Sequence, residues 1–66
     1  MTIIVNGKEL KTTQNSTMQD LLSALSLEGK VMAAAVNMEI VKQDAWKHYR
    51  IQEGDKVELL DFVGGG

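Results

Sequence analysis

Met18, Leu21, Leu22 and Leu25 stand at the i, i+3, i+4, i+7 spacing of one helical face. No second stripe of that length exists for it to pack against. Ala45, Trp46 and Tyr49 also have helical spacing, but only enough for a single turn. A lone helix cannot bury its apolar face, and the other apolar residues fall in short runs that read as strands. Both needs are met when the helix lies across one face of a sheet. The expected fold class is therefore α+β, a mixed four- to five-stranded sheet with one main helix packed across it.

The helix start is marked twice. Ser16 with Gln19 fits the S/T-x-x-E/Q capping box, and Thr17 with Asp20 makes an overlapping pair. Either one starts the helix near Met18. Gly29 is the expected stop, with Lys30 beside it at the negative end of the helix dipole.

Ile3, Ile4 and Val5 are β-branched and open a strand. Asn6-Gly7 then signals a two-residue hairpin, because a type I′ turn needs positive φ at both central positions. Lys8 to Thr13 is the expected return strand, with Leu10 pointing inward. Val31 to Val36 is apolar throughout, and periodicity alone fits a strand or a helix. Its six residues, bounded by Gly29 and Asn37, favour a buried strand. Its three alanines leave room for a helix to pack close. Asn37-Met38-Glu39 reads as a tight turn, Ile40 and Val41 as a short return strand, and Glu53-Gly54-Asp55 as another turn. Val57 to Val63 is the last strand. Met18 and Met32 fall on positions expected to be buried.

A chain of 66 residues allows one domain with one small core. At 44% hydrophobic and 24% charged residues, it has enough apolar surface to fold rather than remain disordered. It has no cysteine, which removes disulfides, thiolate metal sites and cysteine nucleophiles together. The net charge of −2 and pI near 5.2 argue against a nucleic-acid partner. No apolar run approaches the roughly 18 residues of a membrane span. MTIIVNGKEL lacks the parts of a signal peptide, so no membrane association and a cytoplasmic location are expected.

Few residues suggest chemistry. His48 is the only histidine and no HExxH-type ligand pair exists, so neither a catalytic residue nor a metal site is expected. "WKHYR" interleaves aromatic and basic residues, as single-stranded nucleic-acid sites do. The alternative, that Trp46 closes the core while Lys47 and Arg50 face water, suits an acidic chain with one tryptophan better. Glu53, Asp55, Glu58 and Asp61 either steer a basic partner or serve solubility. In the last strand, if Val57 and Leu59 face the helix, then Leu60 and Phe62 face away and form an apolar patch. Reversed parity or a bulge would bury Phe62 instead.

The chain ends with Gly64, Gly65 and Gly66, directly after an apolar strand. Glycine has no Cβ, so such a segment passes through a narrow channel and adopts backbone angles closed to other residues. The terminal carboxylate is a group that ATP can activate as an acyl-adenylate, open to attack by a thiol, an amine or sulfide. The expected organisation is a folded domain over 1–63 and a glycine tail over 64–66 that is mobile when unbound.

The whole chain resembles the sulfur carrier proteins of thiamine biosynthesis, the ThiS family, within the ubiquitin-like β-grasp fold. The resemblance runs through the "VNG" turn, the capped helix at "TMQDLL", "AAAVNMEIV", Trp46, "EGDKVELL" and the terminal "GG". It implies a non-enzymatic carrier that binds no cofactor itself. A ThiF-like adenylyltransferase would use ATP and Mg²⁺ to adenylate the Gly66 carboxylate. Sulfur drawn from cysteine through a desulfurase persulfide would convert it to a thiocarboxylate, which would donate sulfur to a ThiG-like thiazole synthase. Gly65 and Gly66 carry over as the functional end, and Gly64 sits where members of the family vary. Leu60, Phe62 and Val63 are the expected partner contacts, on the strength of the strand reading. Two competing readings use the same terminal chemistry: a small subunit of molybdopterin synthase and a ubiquitin-like protein modifier. The former tend to be longer, with a proline near the tail, and this chain has no proline.

Overall fold

The computed structural model describes residues 1–61, with Asp61 described by its backbone alone. The elements run β1 (Thr2–Val5), β2 (Lys8–Lys11), α1 (Met18–Ala24), β3 (Val31–Val36), β4 (Glu39–Val41), a 3₁₀ turn (Gln43–Ala45) and β5 (Lys56–Asp61). Among the described residues the five strands form one sheet in the order β2-β1-β5-β3-β4. The β1–β5 pairing is parallel and the others are antiparallel. This is the mixed sheet with one main helix that the apolar stripe requires.

Asn6 and Gly7 take φ of 49° and 84°, so the first hairpin turns as the Asn-Gly pair dictates, with Val5 opposite Lys8. Its return strand ends at Lys11 rather than Thr13. The second hairpin joins β3 to β4 through Asn37 and Met38, both at positive φ, and Glu39 already belongs to β4.

Of the two overlapping caps, Thr17–Asp20 is the one that forms. The Thr17 hydroxyl accepts from the Asp20 N–H at 3.1 Å, and the Asp20 carboxylate accepts from the Thr17 N–H at 3.0 Å. Ser16, which has the stricter sequence pattern, is buried, and its hydroxyl donates to the Thr13 carbonyl at 2.8 Å. The remaining helix-start donors are occupied too. Met18 N–H donates to the Tyr49 carbonyl and Gln19 N–H to the Trp46 carbonyl, at 2.9 and 3.0 Å. An anion therefore finds no free donors at this helix N-terminus.

The helix stops at Ala24, well before Gly29. Ser26 takes the left-handed position at φ 58°, and Leu27 N–H reaches back to the Leu22 carbonyl at 2.8 Å while Ser26 N–H reaches Ser23 at 3.1 Å. Those two bonds make a Schellman termination without glycine. Gly29, at φ 72°, serves the turn into β3.

Met18, Leu21 and Leu22 from the helix share one core with Ile3, Val31, Ala34, Val36, Val41 and Val57 from the sheet. Leu25 and Leu10 pack against it, partly buried. Trp46 and Ile51 complete the cluster, and Trp46 Nε1 donates to the Val41 carbonyl at 2.8 Å. Lys47, His48 and Arg50 are exposed, so "WKHYR" closes the core with its tryptophan and turns its charges outward. Met32, by contrast, is 51% exposed rather than buried, because the β3–β5 register shifts between Val31 and Ala33 and breaks the alternation there. Ala34 is the alanine that faces the core, while Ala33 and Ala35 lie on the opposite face.

Candidate functional site on the outer sheet face

The sheet face away from the helix is built by parity. Ala33 lies opposite Leu60, and Ala35 lies opposite both Glu58 and Ile40. Their neighbours Ala34, Leu59 and Val41 turn inward. β3 thus contributes only methyl groups between the larger side chains of β4 and β5. The result is a shallow groove of about 350 Å³ lined by Ala33, Ala35, Ile40 and Leu60, with Asn6 and Glu58 also on its wall. Leu60 is 55% exposed and Ile40 72% exposed. Contiguous exposed apolar side chains of this kind mark protein-binding surfaces more often than isolated ones do.

Leu60 therefore faces outward, as the strand parity indicates, and Val57 faces the core. Phe62, Val63, Gly64, Gly65 and Gly66 lie outside the described residues. Ile40, Ala33 and Ala35 are not singled out by the sequence as site residues, because Val31–Val36 is apolar throughout and shows no alternation. β4 is three residues long, too short for alternation to be read by itself.

Two polar clusters hold the strands that frame the groove. Asn6 Oδ1 accepts from the Leu59 N–H at 2.8 Å, and its Nδ2 donates to the Leu59 carbonyl at 3.3 Å. β1 pairs with β5 only through Ile4↔Lys56 and Val5↔Val57, so the Asn6 carboxamide continues the ladder where the backbone turns away. At the other end of β5, Asn37 accepts from Lys56 N–H and donates to Asp55, each at 3.0 Å. Asp55 is buried and also accepts from Gln52 N–H at 2.8 Å. Glu53 accepts from Thr2 N–H at 3.1 Å. Two of the four acidic residues near the tail are thus tied into turns and strand ends, while Glu58 stays exposed beside the groove.

Tyr49 has its hydroxyl pKa pushed up from the ordinary tyrosine value of 10.0, chiefly by burial and secondarily by the negative charges of Asp55 and Glu39. Among the described residues no group of three or more acidic or histidine side chains could hold a metal ion, and no helix is long and apolar enough to cross a membrane. What the arrangement presents is an exposed apolar groove between β4 and β5.

A five-stranded mixed sheet with one helix and a parallel central pair defines a small ubiquitin-like β-grasp domain. The chain belongs to the ThiS family, whose model matches residues 3–66. It is 35% identical over 63 residues to the sulfur carrier protein ThiS of Bacillus subtilis, covering 94% of this chain and 96% of that one. It is 32% identical over 66 residues to a thiazole synthase of Paramagnetospirillum magneticum, covering all of this chain but a fifth (20%) of the relative's length. The crystal structure of a thiamine biosynthesis protein (ThiS) from Geobacter metallireducens superposes with a TM-score of 0.83 at 33% identity, over the full length of both chains.

Proposed function

We propose that this protein is a sulfur carrier for thiamine thiazole synthesis, acted upon rather than acting. In this reading the Gly66 carboxylate attacks the α-phosphorus of ATP in a partner adenylyltransferase, with Mg²⁺ held there, and pyrophosphate leaves. The outer sulfur of a desulfurase persulfide, drawn from cysteine, then displaces AMP to give an acyl disulfide. Attack of a thiol on its inner sulfur breaks the S–S bond, releasing the terminal thiocarboxylate and leaving a disulfide. The thiocarboxylate gives its sulfur to a thiazole synthase. Gly64 and Gly65 form the slender tether that enters each enzyme's channel. Leu60 and the groove beside it, with Phe62 and Val63, provide the contact surface, and the carrier works in the cytoplasm.

The observation that carries this reading is a double likeness. The chain's pattern matches a sulfur carrier protein over 63 residues, nearly end to end, and a thiazole synthase over 66 residues, one fifth (20%) of its length. A carrier domain joined to its own acceptor enzyme is what direct sulfur delivery between the two would favour, because linkage raises the effective concentration of one for the other. The chain's lack of cysteine fits as well, since it leaves no side-chain thiol to compete for the sulfur.

The test is to incubate the protein with an adenylating enzyme, ATP and a cysteine-derived persulfide source, and to record its intact mass. Replacement of one oxygen by sulfur is the expected result, abolished by deletion of Gly66. Thiazole formation that survives this deletion would overturn the reading, and covalent adducts to lysines of other proteins would mark a modifier instead.

A further inference from the structure

We propose that Asn6-Gly7 is a site of spontaneous deamidation that the fold holds in check through the bond between Asn6 and Leu59. The inference is independent of sulfur carriage. Both residues are exposed, and Gly7 has no side chain to shield its backbone nitrogen. Asparagine is thermolabile, and a following glycine offers the least steric protection. The other asparagines, Asn15 and Asn37, precede Ser16 and Met38, whose side chains stand in the way.

The chemistry needs only water. The Gly7 nitrogen attacks Asn6 Cγ and loses its proton, a new N–Cγ bond forms, the Cγ–Nδ2 bond breaks, and ammonia departs with that proton. Water then opens the cyclic imide at either carbonyl, giving an aspartyl or an isoaspartyl residue. In the folded chain this attack is obstructed, because both polar atoms of the carboxamide are engaged by Leu59, at 2.8 and 3.3 Å. The left-handed φ of 49° at Asn6 is also fixed by the two-residue turn. Reaction therefore requires the Asn6–Leu59 pairing to open first.

The product cannot restore that pairing. An aspartate carboxylate places an oxygen where Nδ2 donated to the Leu59 carbonyl, so a donor is lost and two acceptors face each other. The isoaspartyl product inserts an extra backbone carbon into a turn whose register sets Val5 opposite Lys8. Either change weakens the tether of Leu59 on the β1 side, next to Leu60 and on the wall of the groove that Asn6 itself lines, while the ladder with β3 still pairs Leu59 with Ala34.

The full-length protein, incubated at mildly alkaline pH both folded and in urea, decides the matter. Conversion is read by the mass and chromatographic position of the tryptic peptide Met1–Lys8. Two hydrogen bonds that must open first make the folded-state rate slower by about tenfold or more. Equal rates in the two states, or faster conversion at Asn15 or Asn37, would overturn the proposal. The consequence is read separately in Asn6→Asp by hydrogen exchange at the Leu59 N–H. About tenfold faster exchange is expected at pH 7, with protection returning as the pH falls through the carboxyl range near ~4, where the protonated acid can donate again. Protection, taken as the exchange rate relative to the intrinsic amide rate at each pH, that does not change with pH would overturn the claimed consequence. If Asn6→Asp does not fold at pH 7, the two rates in the wild-type chain still decide whether the fold controls the reaction.

Discussion

Leu60 stands opposite Ala33 across the β3–β5 ladder and remains 55% exposed, on the face away from the core. Its packing within the chain is therefore slight, and the proposed function gives it the role of a partner contact. Leu60→Lys is expected to cost less than about 1 kcal/mol of stability, since exposed strand positions tolerate such changes. Losing a leucine from a buried contact costs ~1.5–3 kcal/mol, so the KM for the adenylating partner should rise about tenfold or more at unchanged kcat. Thermal unfolding and ATP–pyrophosphate exchange on the same samples check both halves, and an unchanged KM would remove Leu60 from the contact surface.

The capping box gives a stability prediction that distinguishes two adjacent residues. Thr17→Ala should destabilise the domain by about 1 kcal/mol, because Asp20 N–H loses the Thr17 hydroxyl it donates to, while the backbone N–H at position 17 can still donate to the Asp20 carboxylate. Asp20→Ala should cost a similar amount, and the double variant should cost less than the sum of the two, because the pair acts as one unit. Urea denaturation of the three variants measures it. An additive double variant would mean that the two bonds are independent.

How far the chain could be read from its sequence depends on the range of the interaction. The Asn6-Gly7 turn and the helix stripe from Met18 to Leu25 are local patterns, and each was legible. The outward parity of Leu60 was one of two alternatives that the sequence of β5 left open, because a bulge or a reversed parity is settled by pairing with β3. The choice between Ser16 and Thr17 as the cap was not legible, because it turned on Thr13 offering its carbonyl to the Ser16 hydroxyl. The exposure of Met32 was hidden for a related reason: a register shift against β5 is a property of the pairing and not of β3 alone. The groove is the clearest case. Ala33 and Ala35 read as space for a helix, and only the position of β3 between β4 and β5 makes them the floor of an apolar groove. Likewise, Asn37 and Asp55 are 18 residues apart, and nothing near either one reveals that they meet.

Tyr49 supplies a prediction at alkaline pH. It is the only tyrosine, so tyrosinate absorbance reports it alone. Its folded pKa is raised above 10.0, which means that the folded state holds the phenolic proton more tightly than the unfolded state does. The stabilisation linked to that proton is complete below pH 10.0 and is lost as the pH rises from there through the folded-state pKa. Tyr49→Phe should leave stability at pH 7 nearly unchanged and flatten the decline above pH 10.0. A tyrosinate transition at or below the ordinary value, or an identical alkaline decline in Tyr49→Phe, would show that burial does not govern this group.

Ser26 ends the helix in a conformation that suits glycine better. It sits at φ 58° and is solvent-exposed, and its role in the termination is carried by its backbone N–H to Ser23 and by the adjoining Leu27-to-Leu22 bond. For a residue with a Cβ, the left-handed region costs roughly 1–2 kcal/mol, while glycine in exchange gives the unfolded chain more freedom, a penalty of about 0.5–1 kcal/mol. The first effect is the larger, so Ser26→Gly should stabilise the domain by about 0.5–1 kcal/mol. The urea midpoint should rise while the slope stays constant, since no buried surface changes. Gly29→Ser makes the opposite comparison: it puts a side chain at φ 72° where nothing crowds it, so any loss there measures backbone strain alone. If Ser26→Gly lowered the midpoint, the serine would have to contribute through its hydroxyl, and the termination could no longer be ascribed to the backbone alone.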